Sequence, residues 1–184
     1  LTRDNSSPSR SGLIIDDNRL YLGYYLEGIK QEVWSFKDGI STAVIRWTGK
    51  SVELAEAFPD INIVVRALGH AELVAEGTAK PLDELATALA KALGAEYRPA
   101  SLHKLTVLQK STGISAAERT AQVEGAYAFS MPKSVSALDQ PRFLIVDDVY
   151  TSGATTREIQ RAIVEACPAA RVFVFTLAKT LYRS

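Results

Sequence analysis

Two kinds of apolar run recur along the chain. Residues 61–65 and 143–146 are almost entirely apolar, a pattern typical of strands that a parallel sheet buries on both faces. Between them, Pro81–Leu93 carries a leucine at every third or fourth position, which predicts an amphipathic helix that begins at Pro81 and is capped by Gly94. Strands therefore alternate with helices.

The remaining elements follow from shorter signals. Further helices are predicted over residues 51–57, from Ser115 toward Val123, where a capping box begins, and over 155–166. Residues 41–47 suit either a helix or a strand. Further strands are predicted at 13–15, 19–26, 105–108, 126–129 and 172–177.

This order predicts an α/β fold, with a parallel twisted sheet flanked by helices. Ligands of such sheets bind beyond the carboxyl ends of the strands, which directs attention to the residues after Val65, Leu108 and Val146. We expect residues 1–12 to be a flexible lead-in, 13–58 an N-terminal flanking subdomain, and 59–184 the core.

Composition narrows the class of protein. The chain has 184 residues, 47% of them apolar, and 21 basic residues balance 21 acidic ones. The even charge argues against a nucleic-acid or membrane partner, and no apolar run has the length of a membrane span. The lone Cys167 cannot form an internal disulfide, which suits a reducing, cytoplasmic location.

Residues 143–156, Phe-Leu-Ile-Val-Asp-Asp-Val-Tyr-Thr-Ser-Gly-Ala-Thr-Thr, carry the clearest chemistry. A buried strand ends in Asp147 and Asp148, and a loop of hydroxyl and small residues leads into a helix. Such a loop can surround a phosphate with N–H and hydroxyl groups, aided by the helix N-terminus. The carboxylates repel phosphate and suit sugar hydroxyls, directly or through Mg²⁺.

This segment resembles the phosphoribosyl pyrophosphate (PRPP) motif of type I phosphoribosyltransferases. The resemblance implies that family's fold, with residues 13–58 as a hood. It also implies catalytic roles for Asp147 and Asp148 at the ribose hydroxyls, where they would hold Mg²⁺ indirectly through substrate or water. The implied 5-phosphate loop comprises Val149, Tyr150, Thr151, Ser152, Gly153, Ala154 and Thr155.

The family also grips pyrophosphate after the first core strand, a role that would fall on Arg66, Ala67 and Leu68. Lys110 and Arg119 could reach the same leaving group. In the hood, aromatic residues or Lys37 could contact the acceptor base; the candidates are Tyr24, Tyr25, Trp34 and Phe36.

Residues 61–129 show a weaker similarity to the ComF-type branch. There a Gln-x-x-Gly-Leu-Ser-x-x-Glu-Arg stretch has its counterpart in residues 109–119, although the branch's Pro-Val-Pro loop is replaced by Arg66–His70.

The resemblance implies a magnesium-dependent pentosyl transferase of nucleotide metabolism. It would move 5-phosphoribosyl from PRPP to a small nitrogenous acceptor, release pyrophosphate, and act as a homodimer. Enzymes that salvage 6-oxopurines usually carry an acidic residue where Thr151 stands, so the acceptor is expected to be another kind of base. The alternative is a non-catalytic PRPP or nucleotide sensor, or a DNA-uptake accessory protein, on the same fold.

Overall fold

The computed structural model describes residues 14–16, 18–53, 55–75, 80–108 and 116–181. In chain order they form β1 (Ile14–Asp16), β2 (Arg19–Tyr21), α1 (Glu27–Lys37), α2 (Ser41–Glu53), β3 (Ile63–Arg66), α3 (Pro81–Leu93), β4 (Glu96–Tyr97), β5 (Leu102–Lys104), α4 (Ala116–Val123), β6 (Tyr127–Phe129), β7 (Arg142–Tyr150), α5 (Ala154–Ala166) and β8 (Arg171–Lys179).

The main sheet has the strand order β1-β2-β8-β7-β3-β4. All its neighbouring strands are parallel except β1 and β2, which form an antiparallel hairpin. A separate antiparallel pair, β5 and β6, lies outside it. The predicted α/β class, with a mostly parallel sheet flanked by helices, is confirmed.

Alternate side chains of the central strands enter two different cores. Ile63 and Val65 of β3 pack on one face with Ile159 and Ile163 of α5. Val64 packs on the opposite face, whose core includes Val33, Val44, Trp47, Leu85 and Leu89 from α1, α2 and α3. Burial on both faces explains why residues 63–65 of β3 and 143–146 of β7 are uninterrupted apolar runs.

Helix α3 has the predicted bounds. Pro81 occupies its first turn, and Gly94 ends it with φ of 63°, in the left-handed region that glycine adopts without strain. Leu85 and Leu89 are fully buried. The ambiguous residues 41–47 belong to α2, whose buried positions Ala43, Val44, Trp47 and Ser51 have helical spacing. This helix ends at Glu53, and a 3₁₀ turn occupies Ala55–Ala57, so the helix predicted over 51–57 is replaced by two shorter pieces.

The strand predicted at 105–108 is wrong. The strand lies earlier, at Leu102–Lys104, where it pairs with Tyr127–Phe129. Leu105 and Val107 are 67% and 56% exposed, so their side chains do not enter the core that would hold a strand in place.

Strand β7 is longer than predicted. It continues beyond Val146 to Tyr150 because β8 extends beside it, with Val149 opposite Ala178 and Tyr150 opposite Lys179. The acidic pair therefore lies within the strand. The predicted division of the chain at residue 58 stays a prediction; β2, from the N-terminal part, pairs with β8. Among the described residues, no helix is long and apolar enough to cross a membrane.

Candidate functional site

A cavity of about 760 Å³ lies at the carboxyl ends of β3 and β7. These strands are neighbours, with Arg66 in register with Val146, so the segments that follow them meet at one edge of the sheet. The predicted site residues that line the cavity are Arg66, Ala67, Leu68, Asp147, Asp148, Val149, Thr151, Ser152, Ala154 and Thr155.

Other predicted residues have different positions. Tyr150 and Gly153 are not part of the cavity lining. Lys110 lies outside the described residues, and so does the side chain of Arg119, whose backbone belongs to α4. Of the hood candidates, Phe36 and Lys37 line the cavity, whereas Trp34 is 52% exposed. The roles predicted for all these residues stay predictions.

The two carboxylates of the acidic pair, which lie within β7, have unequal surroundings. Burial raises the pKa of Asp147 to about 7, with a further contribution from the charge of Asp148. The Asp148 backbone N–H donates to Asp147 Oδ1 at 2.9 Å. Asp148 is paired with Lys37, whose Nζ lies 2.9 Å from Asp148 Oδ2. Asp147 can therefore hold a proton near neutral pH, and Asp148 is held by its ion pair with Lys37.

Lys37 is the last residue of α1, and its pairing brings the N-terminal part of the chain onto the acidic pair. Burial lowers the pKa of Lys37, but attraction and hydrogen bonding to Asp148 outweigh it, so the pKa is raised above its usual value. The ammonium group is a positive charge fixed beside the carboxylates.

The loop after β7 turns sharply at Gly153, where φ is 72°. A Cβ at this position would collide with the Tyr150 hydroxyl and lie 2.9 Å from Arg157 Nη1. The same Arg157 nitrogen donates to the Ser152 carbonyl at 2.7 Å, and the Thr156 hydroxyl donates to the Gly153 carbonyl at 3.1 Å. These contacts fix the carbonyls of the turn and place the N-terminus of α5 at the cavity.

Tyr150 supports this loop from the sheet. Its ring packs edge-on against Tyr21 with 5.5 Å between centroids, and the Arg19 guanidinium lies 5.5 Å from its centroid. Glycine is therefore favoured at position 153 for two reasons. Its backbone is left-handed, and a side chain would overlap the Tyr150 hydroxyl.

Arg66 is 2% exposed and is surrounded by acceptors. Its Nε donates to Asp83 Oδ1 at 2.7 Å, its Nη1 donates to the Ala67 carbonyl at 3.0 Å, and both terminal nitrogens donate to Glu72 at 2.9 Å. Arg66 therefore makes a bidentate contact with a carboxylate of the chain itself. Whether Arg66 also binds pyrophosphate stays a prediction.

Lys104, which the sequence did not single out, holds the segment after β3 that lines the cavity. It is 5% exposed, and its Nζ donates to the carbonyls of Leu68 at 3.2 Å and Gly69 at 2.6 Å. Burial lowers its pKa to about 8. Glu72 and Lys80 were also missed, since nothing in their local sequence distinguishes them from surface charges.

Comparisons with known proteins give a distant likeness. No protein-family model matches the chain, and no curated protein sequence matches it. One similar solved structure is adenine phosphoribosyltransferase from Saccharomyces cerevisiae, in complex with an imino-altritol bisphosphate and adenine. It is 18% identical with a TM-score of 0.43, over 78% of this chain and 69% of that one. A second adenine phosphoribosyltransferase structure is 20% identical with a TM-score of 0.43, over 78% and 71% of the two chains.

Proposed function

We propose that this protein is a phosphoribosyltransferase, which transfers 5-phosphoribosyl from PRPP to a small nitrogenous acceptor and releases pyrophosphate. One observation carries the proposal. The acidic pair, the hydroxyl residues of the loop before α5, and the segment after β3 all border a single cavity. Each provides chemistry for a different part of PRPP: sugar hydroxyls, a terminal phosphate and a diphosphate.

The 5-phosphate would bind at the loop between β7 and α5. Thr151, Ser152 and Thr155 line the cavity there, so their hydroxyls can donate to phosphate oxygens. The first turn of α5 adds backbone N–H groups and the positive end of the helix dipole. Because Thr156 and Arg157 hold the carbonyls of Gly153 and Ser152, little reorganisation is needed when phosphate binds.

The ribose would lie over Asp147 and Asp148. The carboxyl oxygens of Asp148 can accept hydrogen bonds from ribose hydroxyls. Asp147, whose pKa is about 7, can hold or accept a proton. As positive charge develops on the ribose ring during transfer, the negative charge of the pair stabilises it. These residues are the proposed catalytic groups.

The acidic pair also fits the magnesium ion that the family resemblance implies. Among the described residues, no group of three or more His, Cys, Asp or Glu side chains could hold a metal alone. Magnesium is usually bound by one or two carboxylates together with substrate phosphates and water, which is what Asp147 and Asp148 offer. When bound, the ion would neutralise charge on the departing diphosphate.

The diphosphate would lie along Ala67, Leu68 and Gly69. In a trans peptide the N–H and C=O groups point in opposite directions. Lys104 binds the carbonyls of Leu68 and Gly69, so the N–H groups of Gly69 and His70 are turned away from it. Lys104 is therefore a positioning residue, which orients backbone donors without touching the reacting atoms.

A non-catalytic PRPP-sensing regulator, or a DNA-uptake accessory protein, is the second candidate. This candidate is supported by two ion pairs, Lys37 with Asp148 and Arg66 with Glu72. They show that charged groups of the site are already paired with each other. A cytoplasmic location, which the lone Cys167 suggests, and a homodimer are further proposals.

Pyrophosphate release separates the two candidates. Purified protein would be incubated with PRPP, Mg²⁺ and a panel of adenine-like and orotate-like bases. An enzyme releases pyrophosphate only when the right acceptor is present. A sensor binds PRPP, detected by calorimetry, but releases none with any base. Absence of both binding and release would remove the proposal.

A further inference from the structure

Glu72 forms an unusually complete set of contacts at the wall of the cavity. Its carboxylate accepts hydrogen bonds from both terminal nitrogens of Arg66 at 2.9 Å, from the Gly69 N–H at 2.5 Å, and from Lys80 Nζ. A guanidinium, a backbone N–H and an ammonium group are also the donors that bind phosphate-type anions. The chain has therefore built an anion site and placed its own carboxylate there.

The charges of this cluster are balanced. Arg66 and Lys80 are opposed by Glu72 and Asp83, and each cation lies within ion-pair distance of Glu72. A diphosphate that approached while Glu72 was in place would find these donors occupied and would be repelled by this carboxylate at close range, even though the Lys104 charge also acts on Glu72. Departure of Glu72 would expose the donors with a net positive charge.

Protonation does not release Glu72. Burial alone would raise its pKa, but the hydrogen bonds from Arg66, Lys80 and Gly69 outweigh that effect and lower the pKa to about 2. At neutral pH the group is fully ionised. Only a competing anion can take its place among the donors.

The surroundings permit such an exchange. Glu72 lies in a turn, outside the helices and strands, and its side chain borders the cavity. Arg66 would keep its bonds to Asp83 and to the Ala67 carbonyl after Glu72 left. The guanidinium would stay in position, so the anion site would persist.

We propose that Glu72 is a resident carboxylate that occupies a diphosphate-binding site, and that an incoming diphosphate binds by displacing it from Arg66, Gly69 and Lys80. The inference rests on the proposed function in taking that diphosphate to be part of PRPP or free pyrophosphate. Glu72 would then set the affinity of the site and reject weaker anions.

The test is binding of inorganic pyrophosphate to Glu72→Gln, measured by calorimetry beside wild type. The variant keeps the shape of the side chain but removes its charge, and we expect at least tenfold tighter binding. Glu84→Gln removes a charge from an exposed position in the first turn of α3 and should bind like wild type. Equal or weaker binding by a folded Glu72→Gln variant overturns the proposal.

A second measurement uses the wild-type protein, in case the variant does not fold. The carboxyl carbon of Glu72 is followed by NMR during titration with pyrophosphate. Displacement predicts a large shift of this resonance together with the Gly69 amide; an unmoved carboxyl resonance at saturation contradicts it.

Binding of ribose 5-phosphate to the same samples keeps the two proposals apart. This binding measurement tests the proposed phosphate loop at residues 151–155, and it does not depend on Glu72. If ribose 5-phosphate fails to bind but pyrophosphate displaces Glu72, the proposed function fails while the anion site stands. If ribose 5-phosphate binds and Glu72 is not displaced, the displacement proposal fails while the proposed function stands.

Discussion

Lys37 Nζ lies 2.9 Å from Asp148 Oδ2 and joins the C-terminal end of α1 to the end of β7. The pair is partly exposed, with 44% and 26% of the two side chains accessible, so solvent screens it. Its importance is electrostatic more than structural, because the lysine charge also acts on the neighbouring Asp147.

Replacing Lys37 tests that electrostatic role. Lys37→Met removes a charge that lowers the pKa of Asp147, so that pKa should rise above its wild-type value, as followed by NMR of the carboxyl carbon. Unfolding stability should fall by no more than about 1 kcal/mol, as for other partly exposed ion pairs. Lys91→Met, at an exposed position of α3, should leave the Asp147 titration unchanged; an unchanged titration in Lys37→Met would contradict the assignment.

Asp147 should make stability depend on pH. Its pKa is raised from an ordinary carboxyl value of 3.8 to about 7, so the folded state binds more protons than the unfolded state between these values. Stability contributed by the protonated group is therefore fully present below about pH 4 and is lost as pH rises toward 7. Urea unfolding at pH 5 and pH 8 should show a smaller difference for Asp147→Asn than for wild type. An identical difference would mean that Asp147 titrates normally.

Lys104 should control the orientation of the loop after β3. Lys104→Met removes the donor to the Leu68 and Gly69 carbonyls, and we expect pyrophosphate binding to weaken about tenfold, or ~1.4 kcal/mol. In wild type, binding should weaken above the lysine pKa of about 8, as the ammonium group loses its proton. The variant should lack that inflection, and a shared inflection would point to another group.

Gly153 and Gly94 provide a matched pair for the phosphate loop. Both have positive φ, 72° and 63°, so alanine at either position should cost about 1–2 kcal/mol of stability through backbone strain. Only at Gly153 would the new Cβ collide with Tyr150; Gly94 has no atom within 4 Å. Gly153→Ala should therefore abolish ribose 5-phosphate binding, while Gly94→Ala retains it.

Ser152→Ala gives the intermediate case, a loss of about 1–3 kcal/mol from one charge-assisted hydrogen bond. Normal binding by Gly153→Ala in a folded protein would show that this loop does not bind the phosphate.

Local pattern predicted the parts of the fold that depend on nearby residues. The leucine spacing of α3 predicted the helix, and Pro81 and Gly94 predicted where it begins and ends. The first three residues of β3, 63–65, are apolar because both faces of the strand are covered. The rule that ligands bind beyond the carboxyl ends of the strands named the residues after Val65, Leu108 and Val146. Those after Val65 and Val146 line one cavity, and residues 109–115 lie outside the described part of the chain.

What escaped prediction depends on partners far away in the sequence. The end of β7 is set by β8, which pairs with it as far as Tyr150. Lys104 contacts carbonyls 35 and 36 residues earlier. The role of Glu72 depends on its ion pairs with Arg66 and Lys80, which form only in the folded chain. Such pairings carry no local periodicity, so a charged residue in a turn cannot be told from a solvated one.

The central claim is that the acidic pair and the adjoining loop bind PRPP, and calorimetric titration of PRPP with Mg²⁺ tests it most directly. Wild type should bind, and Asp139→Asn, an exposed change, should bind equally well. Asp147→Asn combined with Asp148→Asn should remain folded and weaken binding at least tenfold, about 1.4 kcal/mol. A folded double variant that binds PRPP as tightly as wild type, or a wild type that does not bind PRPP, would contradict the account.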